Sequence, residues 1–152
     1  MESLFSTSKR HRYFIDAAVE QAKKSKMKQR HGAVVVKGGE IIGSGQNYDY
    51  GLQIIHGHWS VHSEVNAIDD CKRNKKNIDG ATIYVVRINP AGELRNSKPC
   101  SNCARWIFAN GIHKVFYSIN PDEIQQVTTE VISIDDIEQG TYNGVYKEVI
   151  KR

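Results

Sequence analysis

Two short stretches decide the fold of this chain: His62-Ser63-Glu64 and Pro99-Cys100-Ser101-Asn102-Cys103. The two cysteines follow a proline that suits a helix entry, and at this i, i+3 spacing both sulfurs lie on one helix face. His62 offers a third ligand of a type that zinc prefers. Three protein ligands leave the fourth tetrahedral position open, which distinguishes catalytic from structural zinc sites. The sequence therefore predicts one Zn²⁺ bound by His62, Cys100 and Cys103.

Glu64 is predicted to carry protons rather than to bind the metal. Zinc lowers the pKa of a bound water to roughly 7, and a nearby carboxylate can take a proton from that water and return it to a leaving group. Hydrolytic metalloproteases use the same groups, but they usually place H-E-x-x-H on one helix. This sequence contains no such run, so the pattern favours metal-assisted hydrolysis of another kind of substrate.

The segments around these stretches predict an α/β protein. Hydrophobic spacing and turn residues predict, in order, a helix at 9–26, a strand hairpin at 33–45, an irregular segment at 48–60, a helix at about 61–74, a strand at 82–86, a polar loop at 88–98, a helix from near 100 to 111, and strands at 115–119 and 124–134. This order predicts a mixed five-stranded sheet with helices on both faces. A short turn makes the last strand antiparallel to the fourth.

Composition is typical of one globular domain. The chain has 152 residues, of which 39% are hydrophobic and 25% charged, and a formal net charge of +4. No apolar run reaches the about 20 residues that a membrane helix needs, and the first residues lack the apolar core of a signal peptide. Three cysteines suit a reducing compartment. We therefore expect a cytoplasmic protein with no membrane partner.

At the motif residues the sequence resembles the cytidine and deoxycytidylate deaminase superfamily, whose signature is H-x-E followed by P-C-x-x-C. The resemblance runs over about residues 9–134, and includes Gly32–Val36, His62–Ile68, Pro99–Ala104 and the 111–117 segment. It implies a single deaminase domain over 1–152, with a three-layer α/β/α core and an extension at 135–152. It also implies one catalytic zinc ion and a hydrolytic reaction that replaces a ring amine by a carbonyl and releases ammonia, as in pyrimidine salvage.

The resemblance also suggests residues that bind the substrate. Asn47 matches a family asparagine that bonds the sugar, and His31 falls where the family lines the base pocket. Backbone N–H groups near Ser63 and Cys100 would hold the base and the reacting oxygen. Trp59 either stacks on a base or caps the core. Two segments depart from the family, since 48–52 lacks the proline of the phosphate-binding loop and 88–98 is longer than the usual connection.

Three functions stay open at this stage. The leading one is deamination of a cytosine-type base in a free nucleoside or nucleotide, such as dCMP or cytidine. The second is deamination of adenine or cytosine in tRNA or single-stranded nucleic acid, with the basic run at 23–30 and Arg87, Arg95 and Lys98 as the electrostatic track. The third is a binding protein that keeps the fold without catalysis, which the intact Glu64 argues against.

Other expectations concern assembly and further sites. Family members usually self-associate, so a homo-oligomer is expected. His56 and His58 are spaced for a second zinc, but no cysteine pair supports one, and a solvent-exposed or substrate-facing role is the alternative. Cys71 is expected to be a buried apolar residue. Trp106 is expected in the core or at a subunit contact.

Overall fold

A computed structural model describes residues 9–53 and 57–129, with the side chains at 49–53, 57–60 and 101 outside that description. Along the chain the elements are α1 (Lys9–Lys23), β1 (Arg30–Lys37), β2 (Glu40–Gln46), β3 (Tyr48–Gln53), β4 (Gly57–Val61), α2 (Ser63–Arg73), β5 (Thr82–Ile88), β6 (Leu94–Arg95), α3 (Ser101–Ala109), β7 (Lys114–Asn120) and β8 (Glu123–Thr128). Within this part of the chain no helix is long and apolar enough to cross a membrane.

The central sheet has the strand order β2-β1-β5-β7-β8, with β6 paired to β5. β5 and β7 are parallel, because α3 connects them. β8 returns antiparallel to β7 after a tight turn, which confirms the predicted orientation of the last pair. The five strands of the main path are the five predicted strands, and the two-residue β6 makes a sixth within the 88–98 segment, which was expected to be only a loop.

Helices cover both faces of this sheet, which confirms the three-layer α/β/α architecture. Side chains alternate along β1, so that Val34 and Val36 pack under α1 while Ala33 and Val35 pack under α2 and α3. This alternation explains the continuous apolar stretch at 33–36, since a central strand is buried on both faces. Cys71 lies in the α2 side of the core and is fully buried, as expected.

Two predictions around the first motif were wrong. Residues 48–60 were expected to be irregular, but β3 and β4 form a separate antiparallel hairpin. The second helix was expected to begin at about Val61, but Val61 ends β4 opposite Tyr48, and α2 begins at Ser63. The Tyr, Gly and His composition of the segment hid the strands, whose backbones pair with each other rather than with the apolar sheet.

Other boundaries shifted slightly or fell outside the structure. The first helix ends at Lys23 rather than near residue 26. The strand predicted at 124–134 is β8, observed from Glu123 to Thr128. Three predictions lie outside the described residues: the continuation of this strand past 129, the extension at 135–152, and the role of His56.

Glycines allow α2 to lie directly on β2. A Cβ on Gly45 would lie 2.7 Å from the backbone nitrogen of Ala67, and a Cβ on Gly43 would lie 2.7 Å from the carbonyl oxygen of the same residue. Such backbone approaches exclude any side chain at these two positions. The close packing fixes the start of α2, and therefore His62 and Glu64, relative to the sheet.

Candidate active site

The candidate site is built at the N-termini of two helices. His62 directly precedes α2 with φ −72° and ψ 152°, and Cys100 directly precedes α3 with φ −72° and ψ 169°. Neither side chain caps its own helix, so imidazole and thiol remain available for other partners. The unsatisfied N–H groups of a first helical turn favour negative charge nearby. Two such turns on one side of the sheet create a setting suited to thiolates and developing oxyanions.

Three ligand-type atoms converge between these helices. Atoms of His62, Glu64 and Cys103 lie within 4.8 Å of one another. Nδ1 of His62 and Sγ of Cys103 are 3.6 Å apart. Bonds of about 2.3 Å to sulfur and about 2.0 Å to nitrogen at a tetrahedral angle would place these two atoms about 3.6 Å apart. The observed separation therefore fits a shared zinc ion.

Burial controls the protonation of the histidine. Desolvation lowers the pKa of His62 to about 4, so its imidazole is neutral at physiological pH. Neutral imidazole is the form that binds a metal. The protonation state of His62 therefore also fits the zinc site predicted from the sequence.

Within the cysteine pair, Cys103 donates a hydrogen bond and Cys100 accepts it. A hydrogen bond from Cys103 lowers the pKa of Cys100, while burial raises the pKa of Cys103 well above its usual value. Cys100 is thus linked to the cluster through Cys103, although it is not among the three mutually close groups. A fully buried thiol loses its proton when a cation compensates the charge. The donor chemistry of this pair is compatible with a zinc site.

Glu64 is held by its neighbour in the sequence. The carboxylate is only 3% exposed, and Ser63 is completely buried. The Ser63 hydroxyl donates a hydrogen bond to Oε1 of Glu64 at 2.9 Å. The sequence predicted only a backbone role at Ser63 and not this side-chain contact, because adjacent residues on a helix do not usually face each other.

A cavity of about 470 Å³ opens beside His62. Its described lining consists of Met27, Lys28, Gln29, His31, Asn47 and His62. Two of the predicted substrate residues, His31 and Asn47, therefore lie together with a predicted zinc ligand. Met27, Lys28 and Gln29 were not predicted to line the cavity, since the basic run at 23–30 was considered as part of a nucleic-acid track. The side chain of Trp59, the other predicted base contact, lies outside the described residues.

Asn47 organises the wall of this cavity. Its Oδ1 accepts the backbone N–H of His31 at 2.8 Å, and its Nδ2 donates to the carbonyl of Gln29 at 2.7 Å. The Ser25 hydroxyl in turn donates to the backbone carbonyl of Asn47. One buried amide thus ties the segment between α1 and β1 to the end of β2. The sequence pattern gave Asn47 a substrate contact but not this bracing role.

His31 is electrostatically linked to the metal-binding cluster. Burial is the main cause that lowers the pKa of His31, with Glu64 acting to raise it and His62 and Arg87 to lower it further. Arg87 is the partner of His31 in the β1–β5 register. This cavity is therefore lined by an imidazole whose pKa is affected by both the Glu64 carboxylate and the Arg87 guanidinium.

Comparison with known proteins agrees with this geometry. The model of the cytidine and deoxycytidylate deaminase zinc-binding region matches residues 8–119. The chain belongs to this family. The match covers both motif stretches and every described cavity residue.

Deoxycytidylate deaminases are among the individual relatives. Deoxycytidylate deaminase of Enterobacteria phage T2 is 38% identical over 66 residues, which are 41% of this chain and 30% of that protein. Riboflavin biosynthesis protein RibD of Bacillus amyloliquefaciens is 31% identical over 111 residues, which are 70% of this chain and 26% of that protein. The crystal structure of dCMP deaminase from cyanophage S-TIM5 is 25% identical, with a TM-score of 0.52, and the match covers 70% of this chain and 79% of that one. The chain thus spans less than a third of the two sequence relatives.

Proposed function

We propose that this protein is a zinc-dependent hydrolase that deaminates a cytosine-type base in a free nucleoside or nucleotide, with dCMP and cytidine as the substrate types. The observation that carries this proposal is the convergence of His62, Glu64 and Cys103 beside the cavity lined by His31 and Asn47. Family membership supports the reaction class. The phage deoxycytidylate deaminase supports the choice of base.

His62, Cys100 and Cys103 would hold the metal. A zinc ion bound there supplies a water activated near neutral pH. The neutral imidazole of His62 and the two sulfurs at the start of α3 suit this role. Glu64 stays outside the ligand set in this proposal, because the H-x-E motif of the family assigns that position to proton transfer and not to the metal.

Glu64 would then move protons between water and base. Its carboxylate takes one proton from the attacking water and gives it to the ring nitrogen. It then takes the second proton from the hydroxyl left on the ring carbon and gives it to the departing amine, so that ammonia leaves and a carbonyl remains. The Ser63 hydroxyl donates to one carboxylate oxygen and so orients the group for this transfer. Burial of both residues keeps the carboxylate in one place without competing water.

The cavity would position a small substrate. His31, half-buried with a lowered pKa, would line the base end of the cavity, while the Asn47 amide keeps the 25–31 segment in place through its bonds to His31 and Gln29. Lys28 is exposed on the same lining and can pair with a 5′-phosphate. A nucleotide therefore has one basic side chain available that a nucleoside would not use.

Nucleic-acid deamination is the less favoured function. Three of the cations suggested for a phosphate track are engaged within the 88–98 region, since Arg30 donates to the carbonyl of Asn89, Arg87 to that of Asn96, and Arg95 to Leu94 and Glu93. These arginines stabilise the segment beside the cavity. Binding of an oligonucleotide would compete with those contacts.

A substrate panel read by ammonia release tests the proposal. The panel contains dCMP, dCTP, cytidine, deoxycytidine, AMP, an aminopyrimidine intermediate of riboflavin biosynthesis, and a cytosine-containing oligonucleotide, each with zinc-loaded protein. We expect turnover of cytosine nucleosides or nucleotides, and Lys28→Gln to raise KM for dCMP without changing KM for deoxycytidine. Turnover of only the oligonucleotide, with steep salt dependence, would favour the nucleic-acid function. No turnover of any compound would overturn the proposal.

A further inference from the structure

A second cavity lies at the opposite end of the sheet. It has a volume of about 260 Å³ and receives Arg10 and His11 from α1, Lys37 from the end of β1, and Lys114 from the start of β7. β1 links the two cavities, since His31 lines the first and Lys37 the second. Six strand steps separate these residues, or about 20 Å. The second cavity is therefore a separate site from the proposed active site.

Positive charge is concentrated in this cavity without a described counterion. Its lining includes Arg10, Lys37 and Lys114 and no carboxylate. Among residues 9–53 and 57–129, no ion pair or hydrogen bond engages the Arg10 guanidinium or the Lys114 ammonium. Lys37 makes one long contact, at 3.3 Å to the carbonyl of Asn77. These like charges from three elements repel one another, and an anion bound between them would offset the repulsion.

The charges act at one point rather than along a surface. Burial is the main cause that lowers the pKa of His11, and the charges of Arg10 and Lys114 lower it further. Both cations line the same cavity as this imidazole, although they come from a helix and a strand far apart in the sequence. This convergence distinguishes the cavity from an ordinary solvated basic face.

An aromatic floor holds the cavity open. The rings of Tyr84 and Phe116 stack with their centroids 4.7 Å apart, and His11 packs on Phe116 at 4.5 Å. Nδ1 of His11 lies 2.6 Å from the Tyr84 hydroxyl. Burial raises the pKa of Tyr84 to about 12, so the phenol keeps its proton at neutral pH. The floor is thus a rigid, uncharged assembly with cations at its rim.

We propose that this cavity binds a phosphate group, either as inorganic phosphate or on a small phosphorylated metabolite. A planar guanidinium with two ammonium groups is suited to a tetrahedral oxyanion. The volume admits a phosphate with a short attachment but not a folded nucleic-acid segment. The open glycine at position 38, where a side chain would meet nothing within 4 Å, leaves the entrance clear.

Titration with phosphate at constant ionic strength tests this site. Amide shifts of ¹⁵N-labelled, zinc-loaded full chain are followed with inorganic phosphate, with ribose 5-phosphate, and with KCl as reference. We expect saturable shifts at Gly38, Gly80 and Thr82 for the phosphate compounds alone. Tighter binding of ribose 5-phosphate identifies a phosphorylated metabolite, and equal binding identifies the phosphate itself.

Matched charge variants decide the outcome. The exposed pair Arg10→Gln/Lys114→Gln should raise the apparent Kd at least tenfold, while Lys24→Gln/Lys26→Gln, which removes two charges at the other end of α1, should change it less than twofold. Non-saturating shifts that KCl reproduces would overturn the proposal. Equal losses in both variants, or shifts at His31 and Asn47 instead, would overturn it as well. This result is independent of ammonia release.

Discussion

The polar groups at the two ends of the sheet differ in their burial and in their charge. At one end His62, Glu64 and Cys103 are close together in the interior, where burial keeps the imidazole neutral and the Cys103 thiol protonated. At the other end Arg10 and Lys114 are exposed and keep their charges around a small cavity. Buried groups need specific partners to ionise, whereas exposed charges act through their field. Substitutions of His62, Glu64 or Cys103 should therefore affect the rate of deamination. Substitutions of Arg10 or Lys114 should affect only the binding of an anion in the second cavity.

The largest effect is expected from loss of a zinc ligand. Cys103→Ala should abolish zinc binding and lower the rate of deamination by at least about a thousandfold, because the metal activates the attacking water. Cys71→Ala is the matched control, since it truncates another completely buried cysteine on the same face of the sheet. Zinc content and ammonia release measure both variants. A Cys103→Ala protein with one zinc per chain would remove this cysteine from the ligand set.

Crowding at the active-site end predicts a stability difference. Gly45→Ala would push a Cβ against the backbone of Ala67 and should cost about 2 kcal/mol, as overpacking does. Gly38→Ala, in open space at φ +59°, should cost about 1 kcal/mol through its left-handed backbone alone. Urea denaturation compares the two variants. A smaller loss for Gly45→Ala would show that α2 can move away from β2.

The bracing role of Asn47 predicts a KM effect. Asn47→Ala removes the bonds to His31 and Gln29, and should raise KM about tenfold while lowering the free energy of unfolding by about 1–3 kcal/mol. Asn66→Ala is the control, because Asn66 also holds a backbone carbonyl, that of Gln46, but does not line the cavity. It should lower stability and leave KM unchanged. Equal KM values for the two variants would contradict the bracing role.

A smaller effect is expected from the serine beside the catalytic carboxylate. Ser63→Ala should lower kcat about tenfold with little change in KM or zinc content, since one orienting hydrogen bond to Glu64 is lost. Ser97→Ala serves as the control, because it removes another buried hydroxyl, one that bonds to Val85 and Ser118 and not to Glu64. It should lower stability without a selective loss of kcat. An unchanged kcat for Ser63→Ala would show that the carboxylate is held by other contacts.

Local sequence rules predicted the helices and the sheet well, because their apolar positions repeat regularly. β1 is the clearest example, since four consecutive apolar residues at 33–36 indicated a strand covered on both faces. The β3–β4 hairpin was missed because its pairing rests on backbone contacts between polar and aromatic residues. β6 was missed because two residues give no periodicity.

The chemistry of the site was more predictable than its surroundings. His62, Glu64 and Cys103 were identified from the H-x-E and P-C-x-x-C motifs, and they lie together in the structure. Lys28 and Gln29 could not be assigned to the cavity, since their place depends on the long-range bond between Asn47 and Gln29. The second cavity was also invisible in the sequence, because Arg10, Lys37 and Lys114 are brought together only by the strand order.

The most direct test measures zinc and ammonia in the same sample of Glu64→Gln. Glutamine keeps the size of the side chain but cannot carry the proton, so we expect one zinc per chain, as in the unsubstituted protein, and a rate at least about a hundredfold lower. Unchanged ammonia release from the zinc-loaded variant would contradict the proposed role of Glu64. Loss of the zinc would instead place Glu64 among the ligands and contradict the division between metal binding and proton transfer.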